Sequence, residues 1–325
     1  MAFSHGMKDM GKFQFYKVFH LIEIILKIYY YRICKGVAIM YYPPSGPNSA
    51  VIRDLMILFT TRWMFKKTIF HFHASGLSEH LKKKNKLFLY IFRKSFFFPD
   101  ISIQLSGSCP NEGGKICARN VIIVPNGLPD EAHTPNVQQA KKVLNVLFVG
   151  LLEESKGEMV LCQALNILKK KGVLCRARIA GDFKSIEYRK KFFDYIMQNQ
   201  LNDEIDYIGV IRGDAKEKAF RESDVFCFPS YFHSESFPLV LIEAMSYGLP
   251  IVSTYWRGIV DMVEDGFNGY LTGVKSPEEV ADKLELLAKD VALRKEIGMN
   301  SRRLFEEKYD IRQHLRMMND VFQNI

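Results

Sequence analysis

Two glutamates separated by seven residues form the clearest candidate for chemistry in this 325-residue sequence. Glu235 lies in the serine-rich loop "YFHSES", and Glu243 lies in the segment "PLVLIEAMSYG" that follows it. Pro238 suits the first position of a helix, because its missing N–H would have no partner there in any case. A helix that begins at Pro238 would direct unpaired N–H groups and the positive end of its dipole at a phosphate. Glu243, in the second turn, could accept two hydrogen bonds from the vicinal diol of a ribose.

This spacing places two acceptors on either side of one anion site. Glu235 would reach what lies beyond the phosphate, which suits a diphosphate with a ribose at one end and a polyhydroxyl group at the other. A second loop, "FVGLLEESKG", ends a strand at Gly150 and carries Lys156 at the start of a helix, where an ammonium could neutralise phosphate charge. The alternative reading makes Glu235 a helix-start carboxylate favoured by the dipole, and Glu243 and Lys156 solvated surface groups.

The elements that would position these residues follow from the alternation of apolar runs and amphipathic segments. Strands are predicted at 37–42, 67–73, 100–106, 121–127, 145–150, 176–182, 206–211, 224–230 and 250–256. Helices are predicted at 13–33, 51–65, 76–94, 158–171, 186–200, 214–222, 238–247 and 257–265, with a helical tail over 276–324 that begins at Ser276–Pro277. Apolar strands that alternate with helices indicate parallel sheets with both faces covered. Ligands of such sheets bind beyond the carboxyl ends of the strands, where both loops would lie.

The sequence therefore predicts an α/β protein with two Rossmann-like domains, residues 1–130 and 131–325, joined near "PNGLPDEAHTPN". The first 130 residues hold 18 Lys and Arg against 7 Asp and Glu, whereas the remainder holds 27 against 29. This asymmetry predicts an anionic partner for the first domain: nucleic acid, a membrane surface or a phosphorylated ligand. The densest basic run is "HLKKKNK", for which a solvated helix face is the alternative.

Several protein classes are disfavoured. The six cysteines have no metal-ligand spacing, and neither a DxD motif nor a His/Cys cluster is present, so charge neutralisation would fall to lysine and backbone N–H groups. The few cysteines and the missing secretory signal predict a reduced, cytosolic protein. The apolar segment 13–33 is interrupted by Lys17, Glu23 and Lys27, which favours a buried or membrane-surface helix over a transmembrane one.

The segment "SESFPLVLIEAMSYGLPIVSTYWRGIVDMVEDGFNGYL" resembles the nucleotide-sugar signature of the retaining, GT-B-fold glycosyltransferases of family 4. The stretches "VIIVPNG", "FVGLLEESKG", "RARIAGDF" and "DVFCFPSYFHSESF" occur in the order typical of that family. The resemblance covers roughly residues 37–325 and is most specific over 145–273. It implies two parallel sheets facing a central cleft, with the donor mainly on the second domain and the acceptor mainly on the first.

The resemblance also assigns roles to residues. It implies that Glu243 binds the ribose, that Glu235 contacts the donor sugar, and that Lys156 holds the diphosphate. His73, at the end of the strand "TIFHFH", matches the first-domain histidine that faces the donor sugar, although a structural histidine is the alternative. The candidate catalytic residues are therefore His73 and Glu235. The donor-binding set is Gly150, Lys156, Ser236, Phe237, Pro238, Leu239 and Glu243, with no metal ligand and no cofactor besides the nucleotide-diphosphate sugar.

Two departures from the family pattern bear on activity. Many relatives have a basic residue directly after the glycine of the diphosphate loop, where this chain has Leu151, so that another side chain such as Arg257 would assist. The family begins with an apolar strand and a Gly-rich loop, and nothing similar precedes the predicted helix 13–33. We therefore expect a first domain that is incomplete at its start, either because the sequence is truncated there or because this is a variant with an incomplete acceptor side. A sugar-nucleotide epimerase of the same fold is disfavoured, because the paired-glutamate loop is the transferase pattern.

The resemblance thus implies a metal-independent, hexosyltransferase-like enzyme of polysaccharide or glycolipid synthesis. Its partners would be a nucleotide sugar and a sugar or lipid-linked acceptor, and not nucleic acid. The alternative is a catalytically impaired relative that binds nucleotide sugar or serves as a partner subunit. The basic, aromatic-rich first domain further predicts a cytoplasmic protein that docks peripherally on anionic lipid at the inner face of the membrane. The alternative there is that the aromatic residues form core and the lysines are solvated.

Overall fold

A computed structural model describes residues 15–46, 50–82, 85–136 and 142–325 of the chain. The chain divides into two compact units between Val124 and Pro125, a few residues before the expected domain boundary at 130. Each unit contains one parallel sheet with helices packed on it. The α/β class expected from the alternating pattern is therefore present in both halves.

The first unit contains a four-stranded parallel sheet in the order β1-β2-β3-β4. Its strands are β1 (Ile39–Tyr42), β2 (Lys67–Phe72), β3 (Ile101–Gln104) and β4 (Asn120–Ile123). Its helices are α1 (Phe15–Cys34), α2 (Ala50–Thr61), α3 (Lys86–Phe96) and α4 (Glu112–Lys115). Within the described residues no strand precedes β1. The core forms where Leu58 of α2 and Phe92 and Phe96 of α3 pack on Phe70 of β2.

Helix α1 has two apolar faces. One face packs beside α2, where the Tyr29 hydroxyl donates to the carbonyl of Thr60 at 3.0 Å and the Arg32 guanidinium donates to the carbonyl of Met64 at 2.6 Å. The other face exposes a stripe at helical spacing, formed by Phe19, Ile22, Leu26, Tyr30 and Ile33. Among the described residues, no helix is long and apolar enough to cross a membrane. The first two residues of the predicted helix 13–33 lie outside the described residues.

The single helix predicted over 76–94 was wrong, because the structure divides it. A 3-10 helix covers Leu77–Lys82, and α3 begins separately at Lys86. Asn85 caps α3, since its side chain accepts a hydrogen bond from the N–H of Phe88 at 3.1 Å. An asparagine immediately before an apolar helical run is a recognisable boundary signal. Two lysines of the basic run, Lys83 and Lys84, lie outside the described residues.

The second unit contains a six-stranded parallel sheet in the order β10-β9-β8-β5-β6-β7. Its strands are β5 (Leu144–Val149), β6 (Cys175–Ala180), β7 (Ile205–Gly209), β8 (Val225–Phe228), β9 (Ile251–Thr254) and β10 (Gly269–Thr272). Its helices are α5 (Glu158–Lys170), α6 (Ile186–Gln198), α7 (Asp214–Arg221), α8 (Leu239–Ser246), α9 (Ile259–Met262), α10 (Pro277–Lys289), α11 (Val291–Leu304) and α12 (Ile311–Gln323). The sequence pattern missed β10, in which Gly269 and Thr272 flank only two apolar residues, so that no apolar run marks the strand.

Candidate active site

The strand order of the second unit reverses at β5. Strand β5 pairs with β6 on one side and with β8 on the other. In such sheets the loops that leave two adjacent strands in opposite directions open a crevice at their carboxyl ends. The loop after β5 carries Gly150 and Lys156, and the loop after β8 carries Glu235. Sheet topology therefore brings together two loops that are distant in sequence.

Gly157 allows these two loops to touch. Its φ of +88° lies in the left-handed region, and a Cβ there would lie 2.1 Å from the carbonyl oxygen of Pro229. Only glycine permits that approach without displacing the backbone. Beside it, the N–H of Tyr231 donates to the carbonyl of Ser155 at 2.8 Å. The loop after β5 is thereby fixed against the loop after β8, and Lys156 is held at their junction.

Lys156 and Glu235 form a shielded ion pair. The Lys156 ammonium lies 2.7 Å from Oε2 of Glu235, and the exposed fractions of the two side chains are 16% and 10%. The Ser230 hydroxyl donates to the same carboxylate oxygen at 3.0 Å. The ammonium also lies over the ring of Phe232, 4.3 Å from its centroid, a cation–π contact. Sequence analysis selected both residues but did not predict that they contact each other.

We expected from the sequence that the next helix begins at Pro238, and the structure differs by one residue. Pro238 is the N-cap, with an extended ψ of 109°, and α8 begins at Leu239. The N–H groups of Leu239 and Val240 belong to the first turn, which has no acceptors within the helix. Phe237 is buried against the ring of Tyr309, with the ring centroids 5.8 Å apart, and Ser236 is buried beside it. The helix start lies one residue later than predicted, and its first-turn N–H groups are those of Leu239 and Val240.

Glu243 forms the second carboxylate–lysine pair of the site. Its Oε1 accepts from the Lys216 ammonium at 2.6 Å. Its Oε2 is buried and has no hydrogen-bond partner among the described residues. Burial raises the pKa of the Glu243 carboxyl, and the Lys216 ammonium opposes that rise. The two residues line a small pocket with Leu128, Pro129, Glu131, Phe220, Ser246 and Tyr247.

Sequence reasoning missed Lys216. It lies in the first turn of α7, 27 residues before Glu243, in a run of charged residues that indicates a solvated helix. Nothing local distinguishes it from Lys218 or Arg221 on the same helix. Only the packing of α7 beside α8 in the folded unit could identify the lysine that reaches the carboxylate.

Glu158, the first residue of α5, carries a buried carboxyl group directly after the loop that holds Lys156. It is fully buried, and neither carboxyl oxygen has a hydrogen-bond partner in the described part of the chain. Burial raises its pKa to about 8. Glu158 is therefore mostly neutral near pH 7 and adds little negative charge beside the Lys156–Glu235 pair.

Arg257, which we named as a possible supplement to Lys156, lies in the loop after β9. Its guanidinium carbon lies 5.6 Å from the ring centroid of Trp256, and its Nε is buried without a hydrogen-bond partner among the described residues. The Trp256 indole donates to the carbonyl of Phe232 at 2.8 Å. This bond ties the loop after β9 to the loop that carries Glu235.

His73 belongs to the first unit and follows the carboxyl end of β2. Its side chain is exposed, and its ring centroid lies 4.2 Å from that of His71 at an interplanar angle of 32°. His71 is buried, with Nδ1 2.5 Å from the hydroxyl of Tyr41. Of the two histidines, His73 is therefore the exposed one at this edge of the sheet. In the described residues, no group of His, Cys, Asp and Glu could hold a metal ion.

Comparison with known proteins identifies the family. The family model described as "Glycosyl transferases group 1" matches residues 130–304, more than half of the chain. The chain belongs to this family. WcaL of Salmonella typhimurium, a protein named for colanic acid biosynthesis, is 30% identical over 254 residues, which cover 76% of this chain and 60% of WcaL. A D-inositol 3-phosphate glycosyltransferase of Paenarthrobacter aurescens is 30% identical over 217 residues, 61% of this chain and 52% of that protein.

Solved structures confirm the fold of the family. The crystal structure of Anabaena Alr3699/HepE in complex with UDP matches with a TM-score of 0.75 at 16% identity, covering 94% of this chain and 82% of that one. The C-terminal domain of a glycosyl transferase group 1 protein from Francisella tularensis is matched over its whole length at 28% identity, with a TM-score of 0.50. The predicted GT-B fold is thus confirmed. The chain spans at most about 60% of the length of the curated relatives named above.

Proposed function

We propose that this chain is a glycosyltransferase that moves a sugar from a nucleotide-diphosphate sugar to an acceptor hydroxyl with retention of configuration. The observation that carries the proposal is the pair of carboxylate–lysine contacts around the start of α8. One contact joins Lys156 to Glu235 in the loop before α8, and the other joins Lys216 to Glu243 in the second turn of α8. A diphosphate between them would meet an ammonium and the first-turn N–H groups of α8.

The nucleoside end of the donor belongs at Glu243. Its Oε2 has no partner in the described part of the protein, although it is buried. An unpaired buried acceptor is costly, and a ribose hydroxyl would satisfy it. Lys216 already occupies Oε1 and so orients the carboxylate, which leaves the other oxygen for the ligand. This arrangement supports the role that the family resemblance gives to Glu243.

The diphosphate and the donor sugar belong at Lys156 and Glu235. A bound diphosphate attracts the Lys156 ammonium, which then shares or leaves its contact with Glu235. The Glu235 carboxylate is thereby released to accept a hydrogen bond from a hydroxyl of the donor sugar. Gly150, at the start of the Lys156 loop, has no side chain and offers only backbone groups to the donor. At the helix start, the backbone of Ser236 to Leu239 would contact the sugar and the phosphate. His73 remains a candidate catalytic residue on the family resemblance alone.

The relatives indicate which substrates to test first. The HepE structures contain UDP and UDP-glucose. CapM of Staphylococcus aureus is named for capsular polysaccharide biosynthesis, and a Campylobacter jejuni relative is named for an acceptor linked to undecaprenol through a diphosphate. We therefore propose a uridine diphosphate hexose as donor and a sugar or lipid-linked precursor of a polysaccharide or glycolipid as acceptor.

A turnover assay tests this function. The protein is incubated with a panel of sugar nucleotides, with and without membrane lipid extract as a source of acceptor, and release of nucleoside diphosphate is measured. We expect release with one donor, strongly increased by the extract, and nearly abolished by Lys156→Ala. Glu296→Ala, at an exposed position in α11, is the control and should leave release unchanged. Binding of the donor without release of nucleoside diphosphate under any of these conditions would contradict the transferase assignment. The anomeric proton coupling of the product then reports whether configuration is retained.

A further inference from the structure

A groove in the first unit lies at the edge of its sheet opposite to His73. It is formed where α2 and α3 meet the amino ends of β2 and β3, next to Thr68 and Asp100. His73 lies beyond the opposite, carboxyl end of β2. Strand β2 is six residues long, and a strand rises about 3.3 Å per residue, so about 20 Å separates the groove from His73. Substrates of α/β sheets bind at the carboxyl edge, so the groove lies outside the expected substrate site.

The charge of the groove is strongly positive. Four of its lining side chains are cations without an ion-pair partner in the described ranges: Lys66, Lys86, Arg93 and Lys94. Its single acidic residue is Asp100, which is already engaged by Lys67 at 3.5 Å and Arg119 at 3.3 Å. The groove therefore presents several unbalanced positive charges to a ligand, and these charges select an anion.

The same groove is lined by exposed aromatic residues. Trp63, Tyr90 and Phe98 have exposed fractions of 74%, 55% and 64%. The Trp63 indole N–H donates to the carbonyl of Thr60 at 2.8 Å, which fixes its ring outward beside the cations. Large exposed aromatic rings interleaved with lysine and arginine are typical of surfaces that lie at a membrane interface, where the rings enter the headgroup layer and the cations contact lipid phosphates.

We propose that this groove binds the phosphate headgroups of anionic phospholipids and docks the first unit on a bilayer. Charge complementarity selects the phosphates, and the protruding rings select a bilayer over a dissolved anion. Leu87, 68% exposed beside Lys86, adds an aliphatic side chain that suits a lipid surface and offers no stacking face to a nucleic acid base. The proposal goes beyond the proposed transferase function and is tested without any sugar nucleotide, so that either can fail alone.

Co-sedimentation with vesicles tests the groove. The full chain is mixed with vesicles of phosphatidylglycerol and phosphatidylcholine, or of phosphatidylcholine alone. We expect binding to the anionic vesicles only, weakened by salt because the attraction is screened. Each charge near the surface contributes about a fivefold effect, so the triple variant Lys66→Gln, Arg93→Gln, Lys94→Gln should bind on the order of 100-fold more weakly. The control, Lys295→Gln, Lys308→Gln, Arg316→Gln, removes the same net charge from exposed positions of the second unit and should bind almost as the parent does.

Further variants distinguish the ligand. Trp63→Ala should weaken vesicle binding several-fold, whereas Ile186→Ala, at a position 84% exposed in the second unit, should not. Lys66→Gln alone should weaken binding about fivefold, which serves as a test if the triple variant fails to fold. Equal binding to both kinds of vesicle, no binding to either, or equal losses in the two triple variants would overturn the proposal. So would displacement from the vesicles by inorganic phosphate at constant ionic strength, or tighter binding of single-stranded DNA through the same residues.

Discussion

Lys156 and Glu235 are 79 positions apart in the sequence, and their side chains meet at 2.7 Å. One residue follows β5 and the other follows β8, the two strands between which the sheet order reverses. Because both side chains are mostly shielded from water, each is the principal counter-charge of the other. A ligand that needs Lys156 must compete with Glu235, and this competition leads to the first prediction.

Glu235→Gln should affect binding and turnover in opposite directions. The amide cannot form an ion pair with Lys156, so the ammonium becomes available to phosphate. We expect nucleoside diphosphate to bind at least as tightly as to the parent protein. Turnover should fall about 10- to 100-fold, because a charge-assisted hydrogen bond to the donor sugar contributes about 1.5–3 kcal/mol. Calorimetry and the release assay measure the two effects. Loss of nucleoside diphosphate affinity together with unchanged turnover would reject the assignment.

Gly157→Ala should be more destabilising than Gly172→Ala. Both glycines have positive φ, +88° and +72°, so both substitutions carry the left-handed strain of about 1 kcal/mol. A Cβ at Gly172 meets nothing within 4 Å, whereas at Gly157 it lies 2.1 Å from the Pro229 carbonyl oxygen. We expect an additional loss of about 1–3 kcal/mol in the free energy of unfolding at Gly157. Urea denaturation measures the free energy of unfolding of each variant. Equal losses at the two positions would contradict the close approach of Gly157 to the Pro229 carbonyl.

Glu158 should make stability depend on pH. Its pKa is raised from 4.5 to about 8, so the folded protein holds a proton that the unfolded chain releases. The stabilisation is complete below pH 4.5 and is lost as the pH rises through 8, at up to about 1.4 kcal/mol per pH unit. We expect the difference in unfolding free energy between the parent and Glu158→Gln to decrease over this window and to level off above it. A difference that is constant from pH 5 to pH 9 would contradict a buried neutral carboxyl.

Turnover should survive an excess of chelator. The charge of the diphosphate would be met by Lys156 and by the N–H groups at the start of α8, and neither requires a metal ion. The release assay with and without a chelator checks this prediction, with added Mg²⁺ as the control for direct effects on the donor. Activity that disappears on chelation and returns with Mg²⁺ or Mn²⁺ would show that the site recruits a metal.

The sequence predicted the parts of the site that depend on local pattern. Continuous apolar runs, typical of strands buried on both faces, located nine of the ten strands described here. The paired-glutamate motif selected Glu235 and Glu243. The sequence did not predict contacts that arise from packing. Lys216 of α7 contacts Glu243 of α8, and the 27-residue separation of the two in the sequence does not predict this contact. The start of α8 was predicted one position too early, at Pro238, because proline is compatible both with the N-cap and with the first helical turn.

The aromatic residues of the first unit likewise separate what local pattern predicts from what packing decides. Composition predicted a basic half with exposed aromatic residues, and Trp63, Tyr90 and Phe98 are indeed exposed. It could not show that Phe92 and Phe96 are core while Tyr90 of the same helix is exposed, because these three residues differ only in the face of α3 that they occupy. Helical phase relative to the sheet, a tertiary property, separates them.

The central claim is that the second unit binds the nucleotide diphosphate through Glu243 and Lys156. Calorimetric titration of uridine diphosphate into the parent, Glu243→Ala, Lys156→Ala and Glu296→Ala proteins tests it most directly. Each of the first two variants removes charge-assisted hydrogen bonds worth about 1.5–3 kcal/mol, so affinity should fall by one to three decades while circular dichroism shows an intact fold. Glu296→Ala should bind as the parent does. Unchanged affinity in folded Glu243→Ala and Lys156→Ala proteins would contradict the account.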